Sequence, residues 1–274
     1  MGIDGTRIEI KQWTDALGLF HSKRAAGLVF RGQSDSKWDL STTLERASKK
    51  RGAAGTETLL IQAFKSRAHQ FGLPVPTKGD HLEWLALMQH YGVPTRLLDW
   101  TRSPYVAAYF AAERAAKDAE FFRVWAVDVV RLRGAAIQRL KVSELTKLGD
   151  PNPFMKWFMG NTFLFVAPIQ ASRSNERLAS QQGLFLCPGS LNSGFQRNLQ
   201  EMDGVGEHLL EIDFPVAMRC EVLSNLESMN INRATLFPGL EGFVQYLEMR
   251  VYLRDHSESD VDMVDARWRE FGFL

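Results

Sequence analysis

The sequence predicts a single α+β domain, in which helices flank split, twisted and mainly antiparallel sheets that hold a pocket between them. Short β-prone runs alternate with amphipathic helical stretches along the chain, and residues 121–130 (FFRVWAVDVV) are the clearest strand. The 274 residues, 45% of them hydrophobic, suffice for one large core or two small ones. We take residues 1–254 as the domain and residues 255–274 as an acidic, then aromatic, tail.

Composition narrows the class of protein. The net charge of +1 gives no global argument for binding nucleic acid or an anionic membrane. Cys187 and Cys220 form no C-x-x-C motif, which argues against zinc and against a disulfide framework. No signal peptide opens the chain, and no apolar run approaches the roughly 20 residues of a membrane-spanning helix. We therefore expect a cytoplasmic protein with neither a metal nor a membrane partner.

The first third of the chain predicts helices around two short strands. A strand is expected at residues 7–10 and another at 28–30. Helices are expected at 13–20, after a cap at Ser41, Thr42 or Thr43, and at 57–71 with Leu59, Leu60, Ala63 and Phe64 inside. Residues 49–56 (KKRGAAGT) lack a phosphate-binding glycine motif and predict a solvated loop, and residues 73–80 predict a linker.

The second half of the chain predicts further strands and helices. Residues 131–148 predict helix or loop, and 150–160 predict either a flap over a pocket or a packed irregular loop. Strands are expected at 163–166, 183–186 and 208–214, and helices at 215–229 and 236–252. The polar run 172–182 leads into the strand at 183, so Gln181 is expected at the mouth of the sheet.

The chain is organised around residues 89–112 (QHYGVPTRLLDWTRSPYVAAYFAA). Gly92 falls where a left-handed helix C-terminus is needed, and Pro94 keeps the residue before it out of a helix. Residues 96–101 predict an extended stretch. Ser103 and Pro104 are typical of a new helix, since the serine caps an orphan N–H and the proline gives up a donor that has no partner.

This run places polar and aromatic residues beside aliphatic residues that belong to a core. They are Gln89, His90, Thr95, Arg96, Asp99, Trp100 and Thr101. Buried polar groups need partners, which come either from the protein or from a ligand. A self-satisfied network of Arg96 with Asp99 is the structural alternative, but the cluster as a whole favours the wall of a pocket.

A second site-like arrangement follows the strand at 28–30. That strand delivers Arg31 to its C-terminal edge, next to Gly32, Gln33 and Ser34. An arginine there can present its planar fork to a phosphate or a carboxylate, and the glycine allows close approach of backbone or ligand. An ordinary surface ion pair is the alternative.

Three groups of residues resemble the signature of the FRG domain family. They are Phe30-Arg31-Gly32-Gln33 with Trp38 and Leu40, residues 89–92 with 94–101, and Arg177 with Gln181, Gly183 and Phe185. Residues 236–242 (LFPGLEG) are similar to the closing motif of these domains. The resemblance spans roughly residues 7–250.

The layout of this family is similar to that of ADP-ribosyltransferases, so the resemblance implies NAD as substrate. It gives Arg31 the role of holding the dinucleotide, by neutralising the pyrophosphate or binding a ribose hydroxyl. Thr101, which would order Arg31, and Ser103 with the helix at 104–112 correspond to the second motif. The resemblance also implies that an aromatic side chain stacks on nicotinamide, and the candidates are Tyr91, Trp100 and Tyr109.

One departure from that layout concerns the catalytic acid. Where such transferases place a glutamate, this chain has Gln181, and an amide neither takes a proton nor offsets an oxocarbenium charge as a carboxylate does. Either another acid enters the site, with Asp99 the first choice before Glu176 and Glu45, or the glutamine only orients a nucleophile, or the fold binds without chemistry. His90 is the remaining candidate base.

Three hypotheses follow. The first is an enzyme that transfers ADP-ribose from NAD to an unknown protein or nucleic acid, or hydrolyses NAD, as a bacterial toxin or phage-defence effector with a possible cognate regulatory protein. The second is a non-catalytic module that senses a nucleotide or nucleic acid through Arg31, Arg96 and Arg177. The third is an interaction scaffold in which these residues are structural.

Overall fold

The computed structural model describes residues 5–25, 27–48, 52–115, 118–142, 151–171, 176–205 and 209–256. Seven strands form one sheet in the order β1-β7-β4-β2-β3-β6-β5. The strands are β1 Thr6–Glu9, β2 Leu28–Gln33, β3 Leu98–Thr101, β4 Phe121–Asp128, β5 Val166–Ile169, β6 Gly183–Pro188 and β7 Leu209–Pro215. The predicted strand at 163–166 therefore begins three residues later, at Val166.

The sheet is nearly divided at its centre. Neighbouring strands are antiparallel except for β1 and β7, which are parallel. β2 pairs with β4 over six residues, but with β3 only through Phe30 and Thr101. The prediction of split sheets is therefore wrong in form, because one residue pair joins the halves into a single mixed sheet. The prediction of an α+β fold with mainly antiparallel pairing and flanking helices is confirmed.

Helices cover both faces of the sheet. They are α1 Trp13–Ala25, α2 Thr43–Ala47, α3 Ala53–Arg67, α4 His81–His90, α5 Pro104–Glu113, α6 Val129–Leu140, α7 Pro151–Phe154, α8 Glu176–Ser180, α9 Phe195–Gln200, α10 Arg219–Ser228, α11 Arg233–Leu236 and α12 Leu240–His256. Alternate residues of β4 show the two layers, since Phe122 and Val124 join one core cluster and Trp125 and Val127 the other.

The predicted capping residues explain where several helices begin. Thr42 and Glu45 form a capping box at α2, and Ser103 accepts a hydrogen bond from the backbone N–H of Val106 at α5. Gly92 has φ +78°, as a left-handed helix end requires. These local signals place the start of α5 directly after β3.

Two predictions for the first third of the chain need correction. Residues 53–56 are the first turn of α3 and not a loop; residues 49–51 lie outside the described part. The buried side of that helix carries Glu57 and Ile61, while Leu59 is exposed. Helical periodicity alone did not reveal this, because the buried glutamate has a partner that is distant in the chain.

The predicted flap at residues 150–160 is helical and packed. Phe154 and Phe158 are fully buried and their rings stack 4.9 Å apart, while residues 155–159 form a turn of π-helix. The packed alternative is therefore correct for the described residues 151–160. The tail after residue 256 lies outside the described part. None of the described helices has the length and apolar character needed to cross a membrane.

Candidate functional site

A cavity of about 710 Å³ opens where β2 and β3 diverge. Its walls come from the ends of these strands, the end of α4, the last turn of α5, the turn after α8 and the segment from α11 into α12. Cavities of this size are typical of sites for small molecules and cofactors. Among the described residues, four arginines line it: Arg31, Arg114, Arg177 and Arg233.

Arg31 spans the gap between the two strands. Its Nη1 donates a hydrogen bond of 2.6 Å to the backbone carbonyl of Asp99, and the side chain is half-buried. Burial lowers the pKa of Arg31 to about 10, with Asp99 opposing this shift and Arg46 adding to it. The guanidinium is thus a positive charge in a poorly solvated position, where an anionic ligand would be stabilised.

Asp99 and the end of α4 form the adjoining wall. Gln89 Nε2 donates to the Asp99 carboxylate at 2.8 Å and to the carbonyl of Leu97 at 3.2 Å, and its Oε1 accepts from the Thr95 hydroxyl. Gln89 therefore fixes the direction of the Asp99 side chain. Asp99 itself is exposed to the cavity.

His90 and Tyr91 continue this wall at the end of α4. Their rings meet edge to face, with centroids 4.9 Å apart. Burial, and secondly the positive charge of Arg177, lower the pKa of His90. The imidazole is therefore neutral at pH 7, as a general base must be before it accepts a proton.

Thr101 and Gln181 tie β3 to the turn before β6. The Thr101 hydroxyl donates to the backbone carbonyl of Gln181 at 2.6 Å, and the backbone N–H of Ser103 donates to Thr101 Oγ1. The implied role of Thr101 as the residue that orders Arg31 is thus not what the structure shows. Gln181 Nε2 donates at 3.0 Å to the carbonyl of Leu236, so its amide anchors the α11 segment.

Arg177 lies on α8 and points into the same cavity. Its guanidinium lies over the ring of Phe237, 4.4 Å from the centroid. Burial is the main cause that lowers the pKa of Arg177, with Arg233 acting in the same direction and Asp99 in the opposite one. Within the described part of the chain no carboxylate or carbonyl accepts a hydrogen bond from it, which leaves its donors available to a ligand.

The sequence analysis missed the wall formed by Glu113, Arg233 and Phe237. Both carboxylate oxygens of Glu113 accept from Arg233 Nη1 at 2.8 Å, and Oε1 also accepts from the Tyr109 hydroxyl. Arg233 lies over the Phe237 ring, 3.8 Å from the centroid. The sequence did hold one signal for this wall, because Glu113 follows Phe110 by three residues and so lies on the same face of α5. Nothing in the sequence spacing indicated that this face would meet residues 236–242.

Gly32 sets how closely α5 approaches the sheet. A Cβ at this position would lie 2.1 Å from the carbonyl oxygen of Ala107 and 2.5 Å from the backbone nitrogen of Ala111. Gly32 lines the cavity, but the close neighbour that requires a glycine is the helix. Without this contact the last turn of α5, which carries Glu113 and Arg114, would stand away from β2.

Two of the predicted binding residues belong to a buried network. Arg96 is fully buried and donates to both carboxylate oxygens of Glu57 and to the carbonyl of Phe158. Thr95 is also fully buried and bonds to Gln89 and Thr43. Arg96 thus pairs neither with the cavity nor with Asp99, and its partner is 39 residues earlier in the chain.

Five other candidates also lie away from the cavity lining. Gln33 bonds to the carbonyl of Trp38 and accepts from the Trp125 indole, Ser103 caps α5, and Tyr109 is buried against Glu113. Glu45 accepts from the backbone of Thr42 and Phe195, and Glu176 is exposed at the start of α8. The cavity brings together the other candidates: Arg31, Gly32, His90, Tyr91, Asp99, Trp100, Thr101, Arg177 and Gln181.

Comparison with known proteins supports the resemblance seen in the motifs. The family model of the FRG domain matches residues 26–120, a span that includes β2, β3 and α5 and hence Arg31, Asp99 and Thr101. No curated protein and no solved structure matched the chain. Arg177, Gln181 and Phe237 lie outside the matched span but complete the same cavity. The FRG domain is thus the family that this chain resembles over residues 26–120.

Proposed function

We propose that the cavity binds NAD and that the protein transfers ADP-ribose from it to a macromolecular acceptor or to water. The observation that carries this proposal is the meeting of Arg31, Asp99 and Arg177 in one cavity, although they lie far apart in the sequence. Two guanidinium groups, one over an aromatic ring and one in the gap between two strands, form a pattern suited to a pyrophosphate.

Aromatic rings supply the second feature that a dinucleotide needs. Tyr91 is half-exposed and Trp100 is buried, and both line the cavity, as does Phe110. An adenine or nicotinamide ring stacks favourably on such groups. Together with the arginines they favour a ligand with both flat apolar rings and negative charge, which is the chemistry of NAD.

Asp99 is the acid best placed for the chemical step. Glu113 is neutralised by Arg233. Glu241 also lines the cavity, where its carboxylate accepts a weak hydrogen bond from Gln245 at 3.4 Å, whereas Gln89 holds the Asp99 carboxylate at 2.8 Å beside Arg31. In the reaction the bond between ribose C1′ and nicotinamide breaks, and its electron pair leaves with nicotinamide. Asp99 offsets the developing positive charge and accepts the proton of the attacking hydroxyl or amine.

This activity would consume NAD in the cell that contains it. We therefore extend the proposal to a toxin or phage-defence effector, which would require a cognate regulatory protein to restrain it. The acceptor would be a protein or a nucleic acid whose nucleophile reaches the cavity beside Asp99.

The test uses the full chain with NAD labelled on adenine, incubated with cell extract or with buffer alone. We expect release of nicotinamide and transfer of the label. The variant Arg31→Ala should lower the rate roughly 10-fold to 100-fold, the equivalent of one charge-assisted hydrogen bond. The control Arg133→Ala removes an exposed arginine of α6 outside the cavity and should leave the rate unchanged. No nicotinamide release, with all three proteins alike, would refute the enzyme.

A non-catalytic nucleotide-binding or nucleic-acid-binding module is the second candidate function. It is favoured by Gln181, whose amide donates to Leu236 where the resemblance implies a carboxylate. This candidate predicts binding without turnover, and binding that weakens as salt rises because phosphate contacts dominate. Titration calorimetry with NAD, cyclic nucleotides and RNA would separate the two functions, and no heat with any ligand would exclude both.

A further inference from the structure

The helix α12 turns its apolar side to solvent. Leu240, Phe243, Val244, Leu247 and Val251 are each between 45% and 77% exposed. They recur at helical spacing and so form one continuous stripe along the outer face of the helix. In an ordinary surface helix such a stripe faces the core.

The opposite side of α12 makes the contacts with the rest of the protein. Gly242 packs so closely that a Cβ would lie 1.9 Å from the carbonyl oxygen of Phe237, and the Tyr246 hydroxyl donates to Glu227 at 2.7 Å. Met249 packs against the core cluster that contains α5 and α10. The helix is thus held in place by Gly242, Tyr246 and Met249, and the apolar stripe remains outside.

The stripe follows the heptad pattern of a two-stranded coiled coil. Leu240, Val244, Leu247 and Val251 are spaced by four, three and four residues. This spacing assigns valine to both a positions and leucine to both d positions, the combination that favours parallel dimers. Gly242 and Met249 then occupy f positions and Tyr246 a c position, all on the far side of the helix from the seam.

The seam is short but already ordered. The next d position along the sequence is Arg254, so the apolar seam ends after Val251. A free peptide with so few apolar layers would not pair, because it would have to form its helix at the same time. In this protein α12 is already folded against α10 and α11, so a second copy meets a preformed face and the cost of ordering is small.

The flanking charges also favour a parallel pair. Glu241 and Glu248 occupy e positions, and Arg250 occupies a g position. An antiparallel pair would bring the e-position acids of the two copies together, whereas in a parallel pair Glu248 faces Phe243, the preceding g residue of the other copy. Such surface charges add little affinity, but they select the orientation.

We propose that α12 forms a parallel two-stranded coiled coil with α12 of a second copy of this chain. The first turns of α12 also supply Glu241, Gly242 and Gln245 to the cavity lining. The dimer would therefore fix the wall of the cavity that contains these residues. The proposal stands whether or not the cavity binds NAD.

The oligomeric state of the full chain tests the proposal. Sedimentation velocity over a wide range of protein concentration should show a monomer–dimer equilibrium. Leu247→Glu places a carboxylate at the centre of the seam and should raise the dissociation constant tenfold or more, which is equivalent to about 1.4 kcal/mol or more. The control Gln138→Glu changes an exposed residue of α6 and should leave the equilibrium unchanged. A monomer at every concentration, as expected if the tail after residue 256 covers the stripe, would overturn the proposal, as would a dimer that Leu247→Glu leaves intact.

Disulfide trapping tests the orientation independently of any loss of stability. In a Cys220→Ser background, Val244→Cys should form a covalent dimer on mild oxidation, because a positions face each other across a parallel seam. Glu248→Cys should not. A dimer in sedimentation that does not cross-link through position 244 would show that the a positions do not face each other and would overturn the proposal.

Discussion

The Arg31 guanidinium donates a hydrogen bond to the backbone carbonyl of Asp99 across a gap where their strands no longer pair. β2 and β3 share only the pair Phe30 and Thr101. Beyond this pair the backbones no longer bond to each other, and the side chain of Arg31 bonds to the backbone of β3 instead. A charged group thus satisfies a backbone carbonyl at the floor of the cavity. The same side chain therefore holds the two halves of the sheet together and supplies a cation to a ligand.

The contact between Gly32 and α5 gives the first prediction. Gly32→Ala would force its new methyl group against the backbone of Ala107 and Ala111, which cannot move aside as a side chain can. We expect a loss of about 3 kcal/mol in the free energy of unfolding. Because α5 carries Glu113 and Arg114 into the cavity, ligand binding should weaken as well. Urea unfolding and calorimetry measure the two effects.

A matched glycine provides the control for this experiment. Gly134 lies within α6, and a Cβ there would meet nothing within 4 Å. Gly134→Ala should therefore stabilise the protein by roughly 0.5 to 1 kcal/mol. If Gly32→Ala were as harmless, the close approach of α5 to β2 would not be what limits this position.

Local chemistry accounts for the parts of the fold that the sequence predicted well. Ser103 with Pro104, Gly92 and the alternation at residues 121–128 each act within a few residues, and the structure has the expected element at each. The single joined sheet was not predictable in this way. The pair Phe30 and Thr101, which joins the two halves, is a contact between segments that are distant in the chain, and no local signal reports it.

The buried pair of Arg96 and Glu57 gives the second prediction. Burial lowers the pKa of Arg96, but the charge and hydrogen bonds of Glu57 outweigh this effect and raise it. Glu57→Gln would leave a buried cation without a counter-charge, and we expect a loss of about 3 to 5 kcal/mol in the free energy of unfolding. Chemical denaturation measures this loss.

A double variant distinguishes the effect of the charges of this ion pair from the effect of the volume that its side chains fill. Arg96→Met combined with Glu57→Leu removes both charges, so it should recover most of the stability lost in Glu57→Gln. Glu176→Gln, an exposed glutamate of α8, is the control and should change little. If the double variant is fully folded but binds the ligand more weakly, Arg96 contributes to ligand binding after all.

His90 gives a prediction about pH. Its pKa lies below the ordinary 6.5, chiefly through burial and secondly through the charge of Arg177. As the pH falls, His90 is therefore protonated in the unfolded chain before it is protonated in the folded protein. The contribution of His90 to stability is complete above pH 6.5 and is lost as the pH falls from 6.5 through the lower pKa of the folded state. Arg177→Ala should raise the pKa of His90 towards 6.5 without reaching it, because burial remains.

Nuclear magnetic resonance titration of the imidazole measures this shift, with the His90 signal assigned by its absence in His90→Gln. Arg133→Ala removes an arginine that does not line the cavity and should leave the titration unchanged. An unaltered titration in Arg177→Ala would mean that the Arg177 guanidinium does not lie near His90 in solution.

The residues of the candidate site were predictable from the sequence only where the pattern within one segment pointed to them. Arg31, Asp99 and Gln181 each lie within two residues of a strand end, and the pattern of each segment indicates that position by itself. Glu113 and Arg233 are 120 residues apart and pair through the side of a helix that resembles any core helix in sequence. The partner of Arg96 was misjudged for the same reason, since Asp99 is nearer in the chain and Glu57 is nearer in space.

Gln181→Glu tests what the amide does at the position where the resemblance implies a catalytic acid. Gln181 Nε2 donates to the carbonyl of Leu236, where a carboxylate would face an acceptor without a proton to share. We expect a loss of about 1 to 3 kcal/mol in the free energy of unfolding and no gain in NAD turnover. The exposed residue Gln138 provides the control as Gln138→Glu, which should change neither quantity. A tenfold rise in nicotinamide release from Gln181→Glu would show instead that position 181 touches the reacting carbon and that Asp99 does not supply the acid. Since Gln181 is fixed by Leu236 on one side and by Thr101 on the other, the structure favours an anchor of the cavity wall over a reacting group.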